Sequence, residues 1–398
     1  MSRAVTASAP GKLILFGEHA VVYGRPALVA AVDLRLTARL TAGEGPARPE
    51  APVRLRVPQL GLDERTSWAE VAGYARARRE GWRAWAERRR AAGGEPGPEP
   101  AAPLFPAVGP AEAGHVLKVA LGEAAAALGE GTGPPLELEV TSELPVGAGF
   151  GSSAAAAVAV VGGFLAVVGV EPAAAEIRRI ALEVERRQHG LPSGVDAATV
   201  LHGGLLWAER RGEGPEARLA VEPLPEAGAA ACAALLAELA VFDGGPPAET
   251  TGAVVAAVRE RAAAEPDRFD ALWGRIEAVT RGFRALLADL GRDGAAGPGA
   301  ARRAVELVRE CEAALEAVGV VPAPVCEAVR AIEAAGGAAK VSGAGSLAGP
   351  GGGTLLALHP EGPDALAGPA GAAGWARRRV TLGGPGLRLE PAAAGDAP

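Results

Sequence analysis

Asparagine is absent from the sequence and lysine is nearly so. Of 40 basic residues three are lysine (Lys12, Lys118 and Lys340), which leaves 37 arginines. Both missing residue types have A-rich codons, so a GC-rich genome accounts for the pattern. Loss of thermolabile asparagine also fits a protein from a hot environment. Either way arginine fills nearly every basic surface role. A lysine that remains is a candidate for work that needs a compact ammonium. Lys12 and Lys340 stand in glycine-containing motifs, whereas Lys118 sits on a helix and is expected to have no such role. Cysteine is scarce too, and Cys232, Cys311 and Cys326 show no CxxC or metal-ligand spacing. That excludes a disulfide framework and predicts a reduced, cytoplasmic protein. No apolar run is long enough for a bilayer. Ala154 to Val170 carries no charge but falls short of the roughly 20 residues a span needs, and it is mostly Ala, Gly and Val. Leu13 to Phe16 runs straight into Glu18 and His19, so no signal peptide is expected. An excess of positive charge is lacking as well: the net charge of −7 argues against a nucleic-acid surface.

What is present is enough apolar material, 49% of 398 residues, for a large core, and the length points to two domains. The stretch around which the chain is organised is Glu143 to Ala157, ELPVGAGFGSSAAAA. Leu136 to Val140 before it alternates like a strand, and Ala154 to Val170 after it reads as a buried helix. A strand, a glycine loop and a helix N-terminus follow one another. Glycines let the backbone turn sharply and approach a ligand closely. The helix N-terminus adds unpaired N–H groups and the positive end of the dipole. The combination predicts a phosphate cradle, most simply for a nucleotide; the alternative is a serine-capped helix after a flexible turn. It is neither of the familiar loops. No lysine follows the glycines as in a Walker motif, and Gly147-x-Gly149-x-Gly151 lacks the dinucleotide fingerprint's downstream acid.

Further candidates lie on either side. Ala7 to Pro26, ASAPGKLILFGEHAVVYGRP, predicts a turn at Pro10-Gly11, a short strand from Lys12 to Phe16, and then an acid and an imidazole. Three ionisable groups beside a strand read as a site wall or as a hairpin with solvated charges. Trp68 to Arg90 reads as an arginine-rich helix with its aromatics on the packed side. Ala91 to Pro110 reads as a mobile loop. Pro172 to Gln188 predicts a helix with Glu183 and Glu185 near its C-terminus. There they oppose the dipole, so each needs a partner: Arg186 or Arg187 for one, a Mg²⁺ ion for the other. HGLPSGVD, 189–196, predicts a glycine- and proline-fixed loop presenting Asp196 as a base or as a cap. Leu235 to Phe242 is read as a strand opening the second domain. A second glycine loop spans Ser342 to Thr354, and Pro391 to Pro398 reads as a disordered tail.

Three of these motifs together carry a resemblance. PGKLILFGEHAVVYGRPA, PVGAGFGSSAAA and KVSGAG stand in the order of the three motifs of the GHMP kinase superfamily, and FGEHAVV with HGLPSGVD is most similar to its mevalonate kinases. The resemblance spans essentially the whole chain. It implies the α+β two-domain GHMP kinase fold. A ribosomal-protein-S5-like N-terminal domain would cover 1–224, and a ferredoxin-like C-terminal domain 225–398, with a tail from about 391. It also implies ATP-dependent phosphorylation of the mevalonate 5-hydroxyl, with ATP and Mg²⁺ as cofactors and a small alcohol as partner. Another GHMP kinase, such as a phosphomevalonate kinase, and a non-catalytic ATP- and ligand-binding sensor are the alternatives; a decarboxylase of the family fits the motifs less well. Homodimerisation is left open.

Carried over residue by residue, the resemblance places ATP on Pro145, Gly147, Gly149, Gly151, Ser152 and Ser153. It places Mg²⁺ on Ser152 and on Glu185, eleven residues before Asp196. Asp196 becomes the base, with Lys12 beside it. Glu18, His19, Gly343, Ala344 and Gly345 become substrate contacts. Two departures stand out. Ser346 to Pro350 interrupts the third motif before Gly351-Gly352-Gly353, and Ala197 follows Asp196 where many members have Asn.

Overall fold

The computed structural model describes residues 3–91, 110–129, 131–145, 147, 149–190, 192–211, 218–224, 230–293 and 298–391. The expected mobile loop at 91–110 and the tail after 391 lie almost wholly outside these. In chain order the first half runs β1 (Arg3–Phe16), β2 (Ala27–Ala42), β3 (Pro52–Val57), β4 (Leu62–Ser67), α1 (Trp68–Ala91), α2 (Pro110–Ala127), β5 (Leu136–Ser142), α3 (Ser152–Val167), α4 (Ala174–His189), α5 (Val195–His202), β6 (Leu205–Arg211) and β7 (Arg218–Pro223). The second half runs α6 (Ala230–Ala237), β8 (Ala240–Asp243), α7 (Thr251–Ala264), α8 (Pro266–Asp293), α9 (Pro298–Val318), α10 (Ala323–Ala334), β9 (Ala338–Ser342), β10 (Thr354–Leu358), α11 (Ala367–Ala372), β11 (Ala376–Arg378) and β12 (Arg388–Pro391).

Two sheets result. The larger is ordered β12-β1-β2-β5-β3-β4, with β6 pairing the first half of β2 and β7 pairing β6. The smaller is ordered β11-β8-β10-β9, all antiparallel. Numbered within that unit the order is fourth-first-third-second, which is the ferredoxin-like arrangement. β12 pairs with β1, so the end of the chain returns to the N-terminal sheet instead of staying with the unit expected to begin at 225.

α3 lies against β1 and β2 with α2, α4 and α5 beside it. Its alanines and paired glycines permit that close seat. A Cβ on Gly163 would come 2.4 Å from Leu40 Cδ1, and one on Gly162 would come 2.8 Å from Leu387 Cδ2. From Ala154 to Leu165 every α3 residue is buried, as a charge-free helix requires. α8 joins the two units. Phe283 meets Phe16 at 4.6 Å between ring centroids, Trp273 stacks on Tyr23 at 4.5 Å, and Arg25 pairs with Asp270 and Glu277.

Three expectations are corrected. Pro10-Gly11 is not a turn: β1 runs through it, with a register shift between Pro10 and Lys12. Proline cannot donate to the ladder, and a bulge accommodates that without ending the strand. Leu235 to Phe242 is not one strand but the end of α6 and then β8, because Ala-Leu repeats suit a helix as well as a strand. Leu201 to Trp207, LHGGLLW, reads in sequence as a strand after a turn, but Leu201 and His202 close α5 and the strand starts only at Leu205. The aromatics of α1 do face the packed side: Trp68 is fully buried, and Trp82 donates to the Gly190 carbonyl at 2.7 Å.

The seat of α3 is testable. Gly163→Val should lower stability in urea unfolding by about 1–3 kcal/mol through overpacking. An unchanged midpoint would mean that α3 can lift from the sheet without cost.

Candidate active site

The loop from β5 to α3 begins at half-buried Pro145. Gly147, Gly149 and Gly151 all have positive φ, at 74°, 86° and 73°, conformations that side-chain-bearing residues avoid. Gly151 is the N-cap of α3 and has no side chain to occupy the first N–H groups. They are therefore open to a ligand, with the Ser152 and Ser153 hydroxyls beside them. Both serines line a cavity of about 230 Å³ whose other walls are largely apolar, among them Leu36, Val57, Leu60 and Val116. Ser153 Oγ is also 3.5 Å from His189 Nε2. Burial pushes the His189 imidazole down to about 4, so it is neutral near pH 7. His189 stands inside the HGLPSGVD motif, and its place beside Ser153 depends on a contact distant in sequence.

Lys12 sits just past the β1 bulge. Its N–H donates to the Phe150 carbonyl at 2.9 Å, and its stem covers Gly151, where a Cβ would fall 2.8 Å from Lys12 Cγ. Its Nζ then reaches Asp196 Oδ2 at 3.2 Å, with the lysine side chain 6% exposed and the aspartate 33%. Asp196 is neither on the loop nor the cap. Gly194, at φ 79°, is the N-cap, and Asp196 occupies the first turn of α5.

The two glutamates of α4 separate as their neighbours dictate. Glu183 pairs with Arg186 and with Arg187, the latter at 2.7 Å. Glu185 points inward and its Oε1 accepts from the Ala197 N–H at 2.8 Å. That bond uses backbone only, so alanine at 197 serves as well as asparagine would. Glu185 Oε2 is buried without a hydrogen-bond partner. Burial, reinforced by the nearby Asp196 carboxylate, pushes its pKa up to about 8. An orphaned buried carboxylate oxygen beside a second carboxylate is a fit for a divalent cation. Among the described residues no group of three or more His, Cys, Asp or Glu is placed to hold a metal. A cation here would thus need the Ser152 hydroxyl and the ligand's own oxygens as well as Glu185.

The first and third motifs meet on the other side. His19 has φ 56°, the sole non-glycine with positive φ among the described residues, a conformation that costs about 1–3 kcal/mol. Its Nε2–H donates to the Ala344 carbonyl at 2.9 Å, and burial lowers its pKa; a neutral ring follows, with Nδ1 as acceptor. Gly343 and Gly345 flank that carbonyl at φ 107° and 70°. A Cβ on Gly345 would lie 2.1 Å from the Val320 carbonyl oxygen. Glu18, expected in the substrate wall, is fully buried and ion-paired to Lys340. Burial pushes the Glu18 carboxyl up. Burial opposes the charge on Lys340 most strongly of any single cause, but Glu18, together with Cys311 and Glu312, outweighs it and the net direction is upward. Lys118, expected to have no such role, pairs with Glu64 at 2.9 Å.

The interruption of the third motif is folded away from this meeting point. Ser346 Oγ donates to Glu249 at 2.6 Å and accepts from the Ala248 N–H at 3.1 Å, and the Leu347 N–H donates to Glu249 at 3.0 Å. Residues 346–350 therefore pack on the segment leading into α7, and the glycine run resumes beyond them.

Comparison with known proteins identifies the family. Residues 115–204 match the GHMP kinases N terminal domain, a stretch that holds the glycine loop, Glu185 and Asp196. A mevalonate kinase of Thermococcus sibiricus is 30% identical over 402 residues, covering 97% of this chain and 98% of the relative. In fold, the chain is similar to the crystal structure of the Methanococcus jannaschii mevalonate kinase, with a TM-score of 0.65 at 17% identity over 97% of this chain and 98% of the other. It is similar also to a Streptococcus pneumoniae phosphomevalonate kinase, with a TM-score of 0.60 at 14% identity over 95% and 99%. Likeness at these identities speaks to the fold alone. The end-to-end match at 30% identity goes further: the chain belongs to the GHMP kinase family and within it resembles the mevalonate kinases.

Proposed function

We propose that the protein transfers the γ-phosphoryl group of ATP to the 5-hydroxyl of mevalonate. The observation that carries the reading is the 3.2 Å pair of Lys12 and Asp196, set against the glycine loop with Glu185 behind it. The full-length mevalonate kinase relatives support the choice of acceptor.

Phosphoryl transfer asks little covalent chemistry of a protein; it asks for alignment and for charge to be balanced. The loop N–H groups and Ser152 receive the triphosphate at the positive end of α3. The apolar cavity that both serines line is sized for part of the nucleotide and is the seat we assign to its base. Asp196 receives the proton as the substrate hydroxyl attacks phosphorus and the bond to ADP breaks. Lys12 holds Asp196 in place and offers positive charge to the transferring group. Its ammonium is nearly buried, which strengthens both effects. Glu185 and Ser152 are the residues that would hold Mg²⁺. When bound, that ion neutralises charge on the phosphate oxygens.

Wild-type protein should release ADP with mevalonate as acceptor, and more slowly or not at all with phosphomevalonate, sugars or amino-acid alcohols. A protein that turns over none of them would overturn this reading and favour a non-catalytic sensor. Asp196→Asn should lower kcat by about 10²–10⁴-fold while ATP affinity, read by calorimetry, stays within about twofold; full activity in that variant would remove Asp196 as the base. The pKa of Glu185, about 8, sets a pH dependence. Below that value the carboxyl holds a proton that Mg²⁺ must displace, so the apparent Mg²⁺ affinity should improve as pH rises through about 8 and level off above it. In Glu185→Gln it should be weak and flat across that window. A wild-type Mg²⁺ affinity independent of pH would show that this carboxylate does not meet the ion.

A further inference from the structure

Glu18 and Lys340 have no accessible surface at all and take no part in the chemistry above. Glu18 belongs to the turn after β1 and Lys340 to β9, so their ion pair spans 322 positions of sequence. Lys340 Nζ also donates to the Val341 carbonyl at 2.8 Å and lies 5.6 Å from the centre of the Phe16 ring. Two further side-chain bonds join the same segments. Ser342 Oγ donates to the Ile14 carbonyl at 2.9 Å, and His19 donates to the Ala344 carbonyl at 2.9 Å. Beneath them Glu312 of α9 accepts from the Val341 N–H at 3.0 Å.

Such a buried pair is a poor source of stability. Apolar residues of similar size commonly serve as well or better, because removing two charges from water offsets their attraction. What the pair supplies is registry. A carboxylate with one oxygen on Lys340 and the other without a partner fixes the Gly17–His19 turn relative to β9. The residue next to Glu18 is the one whose backbone is strained, and its ring is bonded to the loop that β9 feeds. The strain is sustained only while both segments stay in place.

We propose that Glu18 and Lys340 are positioning residues. Their ion pair clamps the turn after β1 to the third glycine loop and holds His19 at the wall that receives the alcohol, while neither residue touches the substrate. This rests on the kinase reading above and changes one part of it: Glu18 acts through its neighbour and not by contact.

The experiment is a double-mutant cycle on Glu18→Gln, Lys340→Met and the double variant, reading kcat, both KM values and the melting temperature. Each single change leaves one buried charge unpaired, and the double leaves none. Each single variant should raise the KM for mevalonate about tenfold with the KM for ATP within about twofold. The double should be no worse than either single and should melt above Lys340→Met. Additive losses overturn the clamp, as does an equal rise in both KM values, since a substrate-contacting Glu18 would lose its contact whatever stood at 340. Should Lys340→Met fail to fold, a double variant that folds and matches Glu18→Gln supports the clamp, and one that also fails overturns it. The melting temperatures need no substrate. If the wild type released no ADP with mevalonate the kinase reading would fall, and the coupling between positions 18 and 340 would still be measured.

Discussion

The ion pair of Lys12 and Asp196 is the constraint on which the site depends. Lys12 belongs to three structures at once. Its backbone is part of β1 and bonded to Phe150, its stem lies over Gly151, and its ammonium meets α5. Shift any of the three and the charge leaves the carboxylate. The β1 bulge at Pro10-Gly11 matters for this reason: it sets the facing of the residue that follows. Gly11 is required there, since a Cβ would fall 2.5 Å from Leu144 Cδ2 and 3.0 Å from the Phe150 carbonyl oxygen.

Around that pair the charges are arranged by burial and not by number. Glu183 and Glu185 are two residues apart on one helix. One pairs with Arg186 and Arg187, and the other, buried, faces a second carboxylate. The first is structurally complete. The second is left short of positive charge, which is what suits it to the divalent cation proposed above. The pair Glu18 and Lys340 differs again, being fully enclosed and matched in charge. It has nothing to offer a ligand and much to offer the relative placement of two loops.

The glycine loop, the α3 helix and the split fate of the α4 glutamates were legible in the sequence, because each follows from local rules. Glycine spacing, a helix without charge, and carboxylates at the wrong end of a dipole all leave a mark within a few residues. The rarity of lysine also drew attention to Lys12 and Lys340, though it could not say that one faces Asp196 and the other a carboxylate across the fold. What escaped detection depends on distant contacts. The burial of Glu18 is set by β9, 322 positions away in sequence. His189 and Glu312 gain their surroundings only when helices pack. The division of Leu235 to Phe242 between α6 and β8 turned on tertiary context, since an apolar run without clear period supports either.

The return of residues 388–391 to the edge of β1 bears on how the chain is made. β1 is made before the second sheet, and its outer edge gains β12 as a partner only after that sheet has been synthesised. The N-terminal half must therefore wait through the making of the whole second sheet with an open edge, the kind of surface on which chains join one another. Completion then brings the two ends of the described chain side by side, Val5 opposite Pro391. A short bridge between these two strands would close the described fold into a ring, which could be reopened at another surface turn with the same order of contacts around it.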